Sequence, residues 1–173
     1  MDYFFTIESE LRDVNITQAK QKFKSPDFHE DICQRIPCTE LDIQLSEISG
    51  QNYRLERAYN LDLDIPDIIR KLLKGAFRLQ RNDLWDLEKL SSESSLKANL
   101  PGIVTFKTKL LEAQNNIKIQ QEWKLDISVP LIHKVIAKFA ETEIRKFHAI
   151  EVGIIQKQLS IWRWAEYAQK LRE

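Results

Sequence analysis

Hydrophobic and polar residues alternate along much of the first 129 positions, the period of half-buried β-strands. The most regular segment runs from Ile117 to Val129. Earlier segments of the same period begin near Tyr3, Leu41, Tyr53, Phe77, Leu96 and Val104. The polar run 91–95 is interpreted as a turn. The pattern therefore predicts seven strands.

Apolar residues at three- and four-residue spacing predict helices elsewhere. Two short helices are expected after the first strand; they carry Phe23 and Phe28, and Pro37 ends the second. A helical insertion is predicted over residues 66–74. Pro130 opens a long amphipathic helix with no later proline. Its apolar stripe consists of Ile132, Val135, Ile136, Phe139, Ala140, Phe147, Ile150 and Ile154.

This element order predicts an α+β helix-grip fold, in which a curved antiparallel β-sheet wraps around one long C-terminal α-helix. The continuous apolar face of such a sheet must be covered, and only the last helix is long enough to cover it. The 173 residues fit a single domain, 1–173. A helix reaching residue 170 would be about 60 Å long against roughly 33 Å for a ten-residue strand. Residues 160–173 are therefore expected to overhang, unless the helix bends near Gly153.

Charge and apolar runs exclude several classes of protein. Twenty-six basic residues balance 26 acidic ones, so nucleic-acid binding, which needs a concentrated positive field, is not expected. No run approaches the roughly 18 apolar residues of a membrane span. Asp2, Glu8 and Glu10 do not fit a signal peptide, so a cytoplasmic location is expected.

The cysteines Cys33 and Cys38 are interpreted as free thiols of a reducing compartment. With His29, one helical turn before Cys33, they suggest a metal site as an alternative. A closed zinc site needs four ligands, and no fourth lies nearby in sequence. Packing residues are the preferred interpretation, and no metal or cofactor is expected.

Four short sequences within Leu61 to Gln158 resemble the START/Bet v 1-like (SRPBCC, helix-grip) superfamily, and within it an uncharacterised bacterial subfamily. They are Ile65-Pro66, Asp83-Leu84-Trp85, Pro101-Gly102 and Val129-Pro130-Leu131-Ile132. His133 departs from the pattern, since a small residue is usual there. The resemblance implies a cavity between sheet and helix for lipids, sterols, polyketides or other apolar molecules. Some members of the superfamily are cyclases or hydrolases.

Two charged residues, Arg57 and Asp83, lie on otherwise apolar strand faces, with Arg81 beside the latter. If Leu63 pairs with Phe77, the antiparallel register places Arg57 opposite Asp83. An inward arginine needs such a carboxylate, because a buried unpaired charge is costly. One hypothesis makes this pair a polar anchor for a ligand headgroup. The alternatives are a purely structural pair, or a bulge that turns both side chains outward.

Large apolar side chains at strand and helix spacing are the candidates for the cavity wall. Aromatic residues at such spacing are more often ordinary core, so their assignment to a cavity depends on the predicted fold. The predicted wall consists of Tyr59, Trp85, Phe106, Trp123, Ile136, Phe139 and Phe147.

Catalytic motifs are sparse, and no catalytic residue is assigned. The sequence has no P-loop, GxGxxG, HExxH or Gly-x-Ser-x-Gly pattern. His133 and His148 are about 22 Å apart along one helix. Glu143 lies close to the apolar stripe and would be an acid or base if it reached the cavity, or a solvated residue otherwise.

The C-terminal segment carries Trp162, Trp164 and Tyr167 among basic residues. One interpretation is contact with a partner, a second copy or a membrane surface, since tryptophan suits interfaces. The other is that the segment folds back over the domain.

These patterns predict a binding or carrier protein for a hydrophobic small molecule or lipid. The alternatives are an enzyme of the cyclase or hydrolase kind using the same cavity, and an interaction module without a cavity. A mostly apolar cavity of several hundred Å³ with one or two polar groups would favour the carrier.

Overall fold

The computed structural model describes the backbone of residues 1–173 and all side chains except those of residues 162–164 and 166. Trp162 and Trp164 therefore lie outside the described side chains. The strands are β1 (Asp2–Leu11), β2 (Thr39–Ser49), β3 (Asn52–Leu61), β4 (Phe77–Asp86), β5 (Ser91–Ala98), β6 (Ile103–Ala113) and β7 (Asn116–Asp126). The helices are α1 (Ile16–Phe23), α2 (Pro26–Arg35), α3 (Asp67–Arg70) and α4 (His133–Arg172).

All seven strands form one antiparallel sheet in the order β1-β7-β6-β5-β4-β3-β2. Five of the six pairings join consecutive strands, and the sixth pairs the first strand with the last, from Asp2 opposite Asp126 to Leu11 opposite Ile117. Strands β2 and β1 therefore form the two edges. The predicted curved antiparallel sheet with a long C-terminal helix is confirmed.

Local sequence signals explain the helix boundaries. The Asn15 side chain caps α1 by accepting a hydrogen bond from the backbone N–H of Gln18 at 2.7 Å. Pro26 starts α2, where its missing N–H costs nothing. The insertion helix is shorter than predicted and covers only Asp67–Arg70. Helix α4 runs without interruption past Gly153 to Arg172.

Two apolar clusters fill the concave side of the sheet. The hairpin cluster packs α1, α2 and the second half of α4 on the sheet; its members include Leu11, Phe23, Ile32, Tyr53, Leu55, Ile117 and Leu159. The cavity cluster packs the first half of α4 on the opposite end of the strands; its members include Ile7, Ile69, Phe106, Trp123, Leu125 and Ile136. No helix in the described part of the chain is long and apolar enough to span a membrane.

Two sequence predictions about the centre of the sheet are wrong. Leu61, not Leu63, pairs with Phe77, so Arg57 lies opposite Arg81 and Leu55 lies opposite Asp83. Strand β3 ends at Leu61, two residues before the predicted end at Leu63, because the chain leaves the sheet before the α3 insertion. The predicted turn 91–95 belongs to β5. Its serines 92 and 94 are buried on the core face, and Ser94 lies opposite Asp83.

Candidate functional site

A cavity of about 160 Å³ lies between the concave face of the sheet and the first half of α4. Most of its wall is apolar, contributed by the ends of β3 to β7, the 101–102 turn and helix α4. The aromatic wall stacks closely: the ring centroids of Phe106 and Trp123 are 3.9 Å apart, and Phe5 lies 5.8 Å from Trp123 on the other side. The volume is smaller than the several hundred Å³ expected, because these large side chains fill much of the space.

Four charged side chains separate the cavity from the hairpin cluster; Arg57, Arg81, Asp83 and Glu151 are called the charge cluster below. Arg81 is its centre. Its Nε donates to both carboxylate oxygens of Asp83 at 3.2 and 3.1 Å, while Nη1 and Nη2 donate to Glu151 at 3.1 and 3.3 Å. Ser94 donates its hydroxyl to Asp83 at 2.6 Å. The cluster thus connects β4 and β5 with α4.

Arg57 completes the charge cluster behind Arg81, on the side away from the cavity. Its Nη2 lies 3.9 Å from Asp83, an ion pair longer than a hydrogen bond. Its Nη1 donates to the thiol of Cys33 on α2. Its Nε is buried without a partner among the described residues. Arg57 and Asp83 are 2% and 4% exposed, so this half of the cluster, in which two arginines balance two carboxylates, is shielded from solvent.

The ionisation of both carboxylates is decided by competition between burial and these arginines. Burial opposes the charged form of Asp83, but Arg81, Arg57 and the Ser94 hydroxyl outweigh it and lower the pKa. The pKa of Glu151 is lowered in the same way, with Arg81 as the strongest opposing influence to burial. Both side chains are therefore anionic at neutral pH, and the formal charge of the cluster is zero.

Two polar side chains next to the charge cluster, Tyr59 and His148, line the cavity and keep hydrogen-bonding capacity that other protein groups do not use. The Tyr59 hydroxyl has no hydrogen-bond partner among the described residues, although the side chain is 7% exposed. The Nε2 atom of His148 lies 2.8 Å from the Ser9 hydroxyl, and its Nδ1 has no described partner. Burial raises the pKa of Tyr59 and lowers that of His148. At neutral pH both side chains are uncharged.

Comparison with solved structures identifies the fold. Norcoclaurine synthase from Thalictrum flavum, in complex with dopamine and hydroxybenzaldehyde, matches 92% of this chain and 87% of its own at a TM-score of 0.61 and 12% identity. The Zhui aromatase/cyclase from Streptomyces sp. R1128 matches over 92% and 94%, with a TM-score of 0.62 and 5% identity. A Thermus thermophilus protein matches over 92% and 98%, with a TM-score of 0.63 and 9% identity.

The chain has the START/Bet v 1-like helix-grip fold. The superfamily resemblance drawn from four short sequences is thereby confirmed at the level of the fold. No protein-family model matches the chain, and no curated protein matches it in sequence. Helix-grip proteins similar to this chain include two enzymes, norcoclaurine synthase and the aromatase/cyclase.

The helix-grip cavity brings together six of the nine residues singled out from the sequence. These are Tyr59, Phe106, Trp123, Ile136, Phe139 and Phe147. Glu143, the other candidate on α4, also lines the cavity and lies 3.2 Å from the Lys146 ammonium.

Three predicted cavity residues lie elsewhere. Trp85 packs in the hairpin cluster, where its ring is 5.1 Å from that of Phe23 in an edge-on contact. Arg57 and Asp83 lie behind Arg81 and do not line the cavity. The cavity lies at the start of β4, where Phe77, Leu79 and Arg81 line it, and Asp83 and Trp85 lie farther along that strand. The inward charge that reaches the cavity wall is therefore Arg81.

Glu151 and His148 also line the cavity, although neither was predicted there from the sequence. The signal was present, because both continue the spacing of the α4 stripe: His148 follows Ala140 by eight residues, twice four, and Glu151 follows Phe147 by four. Polar residues on an apolar stripe are candidates for a buried network. Without the sheet register, the partner that neutralises Glu151 was not identifiable.

Proposed function

We propose that the protein binds a hydrophobic small molecule in the cavity between the sheet and α4. The observation that carries this proposal is the mostly apolar space with a polar end formed by Tyr59, Arg81, His148 and Glu151. Pockets that bind small organic molecules combine an apolar wall with a few oriented polar groups. The apolar wall would supply affinity, and the polar end would orient the ligand.

Helix-grip structures similar to this chain support the proposal. One is in complex with dopamine and hydroxybenzaldehyde, both small substituted rings. A lipid with a long acyl chain is a weaker candidate, since it needs more space than about 160 Å³.

The test compares toluene binding by the protein and by two variants. Ala140 lines the cavity from α4, whereas Ala149 is exposed two and a half turns later on the same helix. Ala140→Leu adds side-chain volume inside the cavity, and Ala149→Leu adds it in solvent. Toluene at about ten times its Kd should add about 1.4 kcal/mol to the unfolding free energy of the parent and of Ala149→Leu. Ala140→Leu should lose this stabilisation.

Native mass spectrometry before and after organic extraction of the purified protein would identify a molecule that co-purifies. A ligand retained by the parent and by Ala149→Leu but absent from Ala140→Leu would support the proposal. Equal toluene stabilisation of all three proteins would contradict it, because the site would then lie outside the cavity.

A catalytic role in the same cavity is the second candidate, favoured by one observation. The cavity wall holds several titratable groups with shifted pKa values, namely Tyr59, Arg81, His148 and Glu151. Such clusters are enriched at active sites, although structural ion networks produce them too. Incubating the extracted ligand with fresh protein separates the two functions: an enzyme changes the mass or isomer of the ligand, and a binding protein returns it unchanged.

A further inference from the structure

The cavity is suited in size to one ring. Its volume of about 160 Å³ is close to that of an engineered dry cavity of about 150 Å³ in another protein that binds benzene. Pockets for drug-sized molecules are larger, roughly 300–1,000 Å³. Phe5 and Phe106 stack on the two faces of the Trp123 ring, so Trp123 and Phe106 offer ring edges to a ligand, and a ligand ring can pack against them edge-to-face.

The charge cluster makes an ionic ligand unfavourable. The positive charge of Arg81 is already balanced by Asp83 and Glu151, which accept from its Nε, Nη1 and Nη2, so an anion in the cavity would meet no uncompensated cation. Any ligand charge would add to a buried cluster whose own formal charge is zero. A buried charge without a partner carries a large desolvation penalty. An anion would also have to compete with Glu151, which is held by a two-point contact.

The remaining polar capacity of the cavity suits a neutral hydrogen-bonding group. The Tyr59 hydroxyl and the Nδ1 atom of His148 have no partners among the described residues. Gln121, by contrast, is engaged: it donates to Thr108 at 3.1 Å and accepts from the Trp123 indole at 2.9 Å. Neither the Tyr59 hydroxyl nor His148 Nδ1 is among the fully buried side-chain atoms that lack a partner, so both keep surface that a small molecule can reach. A ligand hydroxyl or carbonyl oxygen can accept a hydrogen bond from the Tyr59 hydroxyl, and a ligand hydroxyl can also donate one.

From size, charge balance and free polar groups, we infer that the ligand is an uncharged, ring-sized molecule carrying a hydroxyl or carbonyl group, which hydrogen-bonds to Tyr59. This inference rests on the proposed binding function and specifies its ligand class. The ring lies in the apolar part of the cavity, and the polar substituent points toward the charge cluster. Tyr59, which stays protonated at neutral pH, is the hydrogen-bond donor.

The experiment uses four probes that share a benzene ring and one further carbon: toluene, benzyl alcohol, benzoate and benzylamine. Their Kd values are measured by calorimetry at pH 7.5, where the first two are neutral and the last two are ionised. Benzyl alcohol and toluene should bind at least tenfold more tightly than either ion. Comparable affinity for benzoate and benzyl alcohol would overturn the inference.

Two variants test which side chains cause the preference for neutral probes over charged ones. Tyr59→Phe removes only the hydroxyl, so benzyl alcohol should weaken by about threefold to tenfold while toluene changes less than twofold. Glu151→Gln removes one negative charge from the cluster, so benzoate should bind at least tenfold more tightly than to the parent. Glu141→Gln is the matched control, because Glu141 lies on the same helix and outside the cavity. It should leave all four Kd values unchanged.

The outcomes separate this inference from the proposed function. If toluene binds but Tyr59→Phe affects toluene and benzyl alcohol equally, the ligand class is wrong and the binding function stands. If none of the four probes binds, both fail. Tyr59→Phe keeps the inference testable even if Glu151→Gln does not fold.

Discussion

The guanidinium of Arg81 and the carboxylate of Glu151 form a two-point ion pair, at 3.1 and 3.3 Å, between the middle of the sheet and α4. Both side chains are largely buried, 15% and 24% exposed. Removing the charge of Glu151 leaves Arg81 with a single carboxylate partner. Glu151→Gln should therefore lower the unfolding free energy by about 2 kcal/mol, the range of hydrogen bonds to charged groups.

Urea denaturation measures this loss, with Glu141→Gln as the control. Glu141 is as exposed as Glu151, but it contacts its arginine at one point, 3.1 Å from Arg145 Nε, and the Arg145 side chain is 45% exposed against 15% for Arg81. Exposed pairs of this kind contribute less than about 1 kcal/mol. Equal losses in the two variants would show that the Arg81 contact is no stronger than a surface pair.

Asp83 should be the most sensitive member of the charge cluster. It accepts from Arg81 and Ser94 and is the ion-pair partner of Arg57, so Asp83→Asn leaves two buried cations with one carboxylate. The expected loss is about 3–5 kcal/mol. Arg57→Met should cost less, because Asp83 keeps its two strongest partners and the methionine fills similar space.

A double-mutant cycle tests this pairing by chemical denaturation. Arg57→Met combined with Asp83→Asn should lose less stability than the sum of the single losses, by at least about 0.5 kcal/mol, as expected for coupled neighbours. Additive losses would mean that the 3.9 Å separation between Arg57 and Asp83 carries no stabilising interaction.

His29 should make the fold sensitive to mild acid. Its ring is buried and stacks 4.3 Å from Tyr53, and its Nε2 lies 2.8 Å from the Phe23 carbonyl, which fits an N–H donor. Burial lowers the pKa of His29 to about 4. Between pH 6.5 and 4, His29 thus binds a proton in the unfolded chain and does not bind one in the folded chain. The contribution of His29 to the unfolding free energy is therefore complete above pH 6.5. As the pH decreases from 6.5 towards 4, this contribution is lost at about 1.4 kcal/mol per pH unit.

His29→Asn isolates this contribution, because asparagine keeps an N–H donor and does not titrate. In unfolding measurements from pH 7 to 4.5, the variant should show a shallower decline than the parent. A smaller slope should remain, since burial also lowers the pKa of His148. Identical slopes would mean that His29 takes up its proton equally in both states.

Gly102 should be intolerant of a side chain. It has φ +130° at the cavity mouth, and a Cβ there would lie 2.6 Å from the Asp126 carbonyl oxygen. Gly102→Ala combines backbone strain with a clash between β6 and β7, and should cost more than Gly50→Ala. Gly50 has φ +61° with open space around it, so its substitution should cost only about 1–2 kcal/mol of backbone strain. Thermal denaturation of both variants measures the difference.

Alternation along the strands predicted which face each residue occupies more reliably than which residue it pairs with. The β3–β4 register was wrong by two residues, and a shift of two keeps every side chain on its face. Arg57 and Asp83 therefore remained inward and adjacent although they are not cross-strand partners. The register depends on where the chain leaves the sheet before α3, which the apolar pattern continuing to Leu63 does not mark.

The serine-rich start of β5 was misassigned for a different reason. Serine favours turns when only local sequence is considered. Ser94 lies in a strand because its hydroxyl faces Asp83 across the ladder, and that need arises only once β4 and β5 are paired. The same dependence on tertiary partners explains why Glu151, which requires Arg81, was not assigned to the site from sequence.

In the β1–β7 pair, residues up to 124 positions apart in the sequence lie opposite each other, as Asp2 does with Asp126. β1 and β7 cannot pair until all seven strands have left the ribosome, because β7 is the last strand in the chain, and α4 emerges later still. Until then β1 is an unpaired edge and the concave apolar face is uncovered, so the nascent chain is exposed to aggregation. Long-range pairing of this kind also predicts slow folding, on the millisecond-to-second scale of proteins with high contact order.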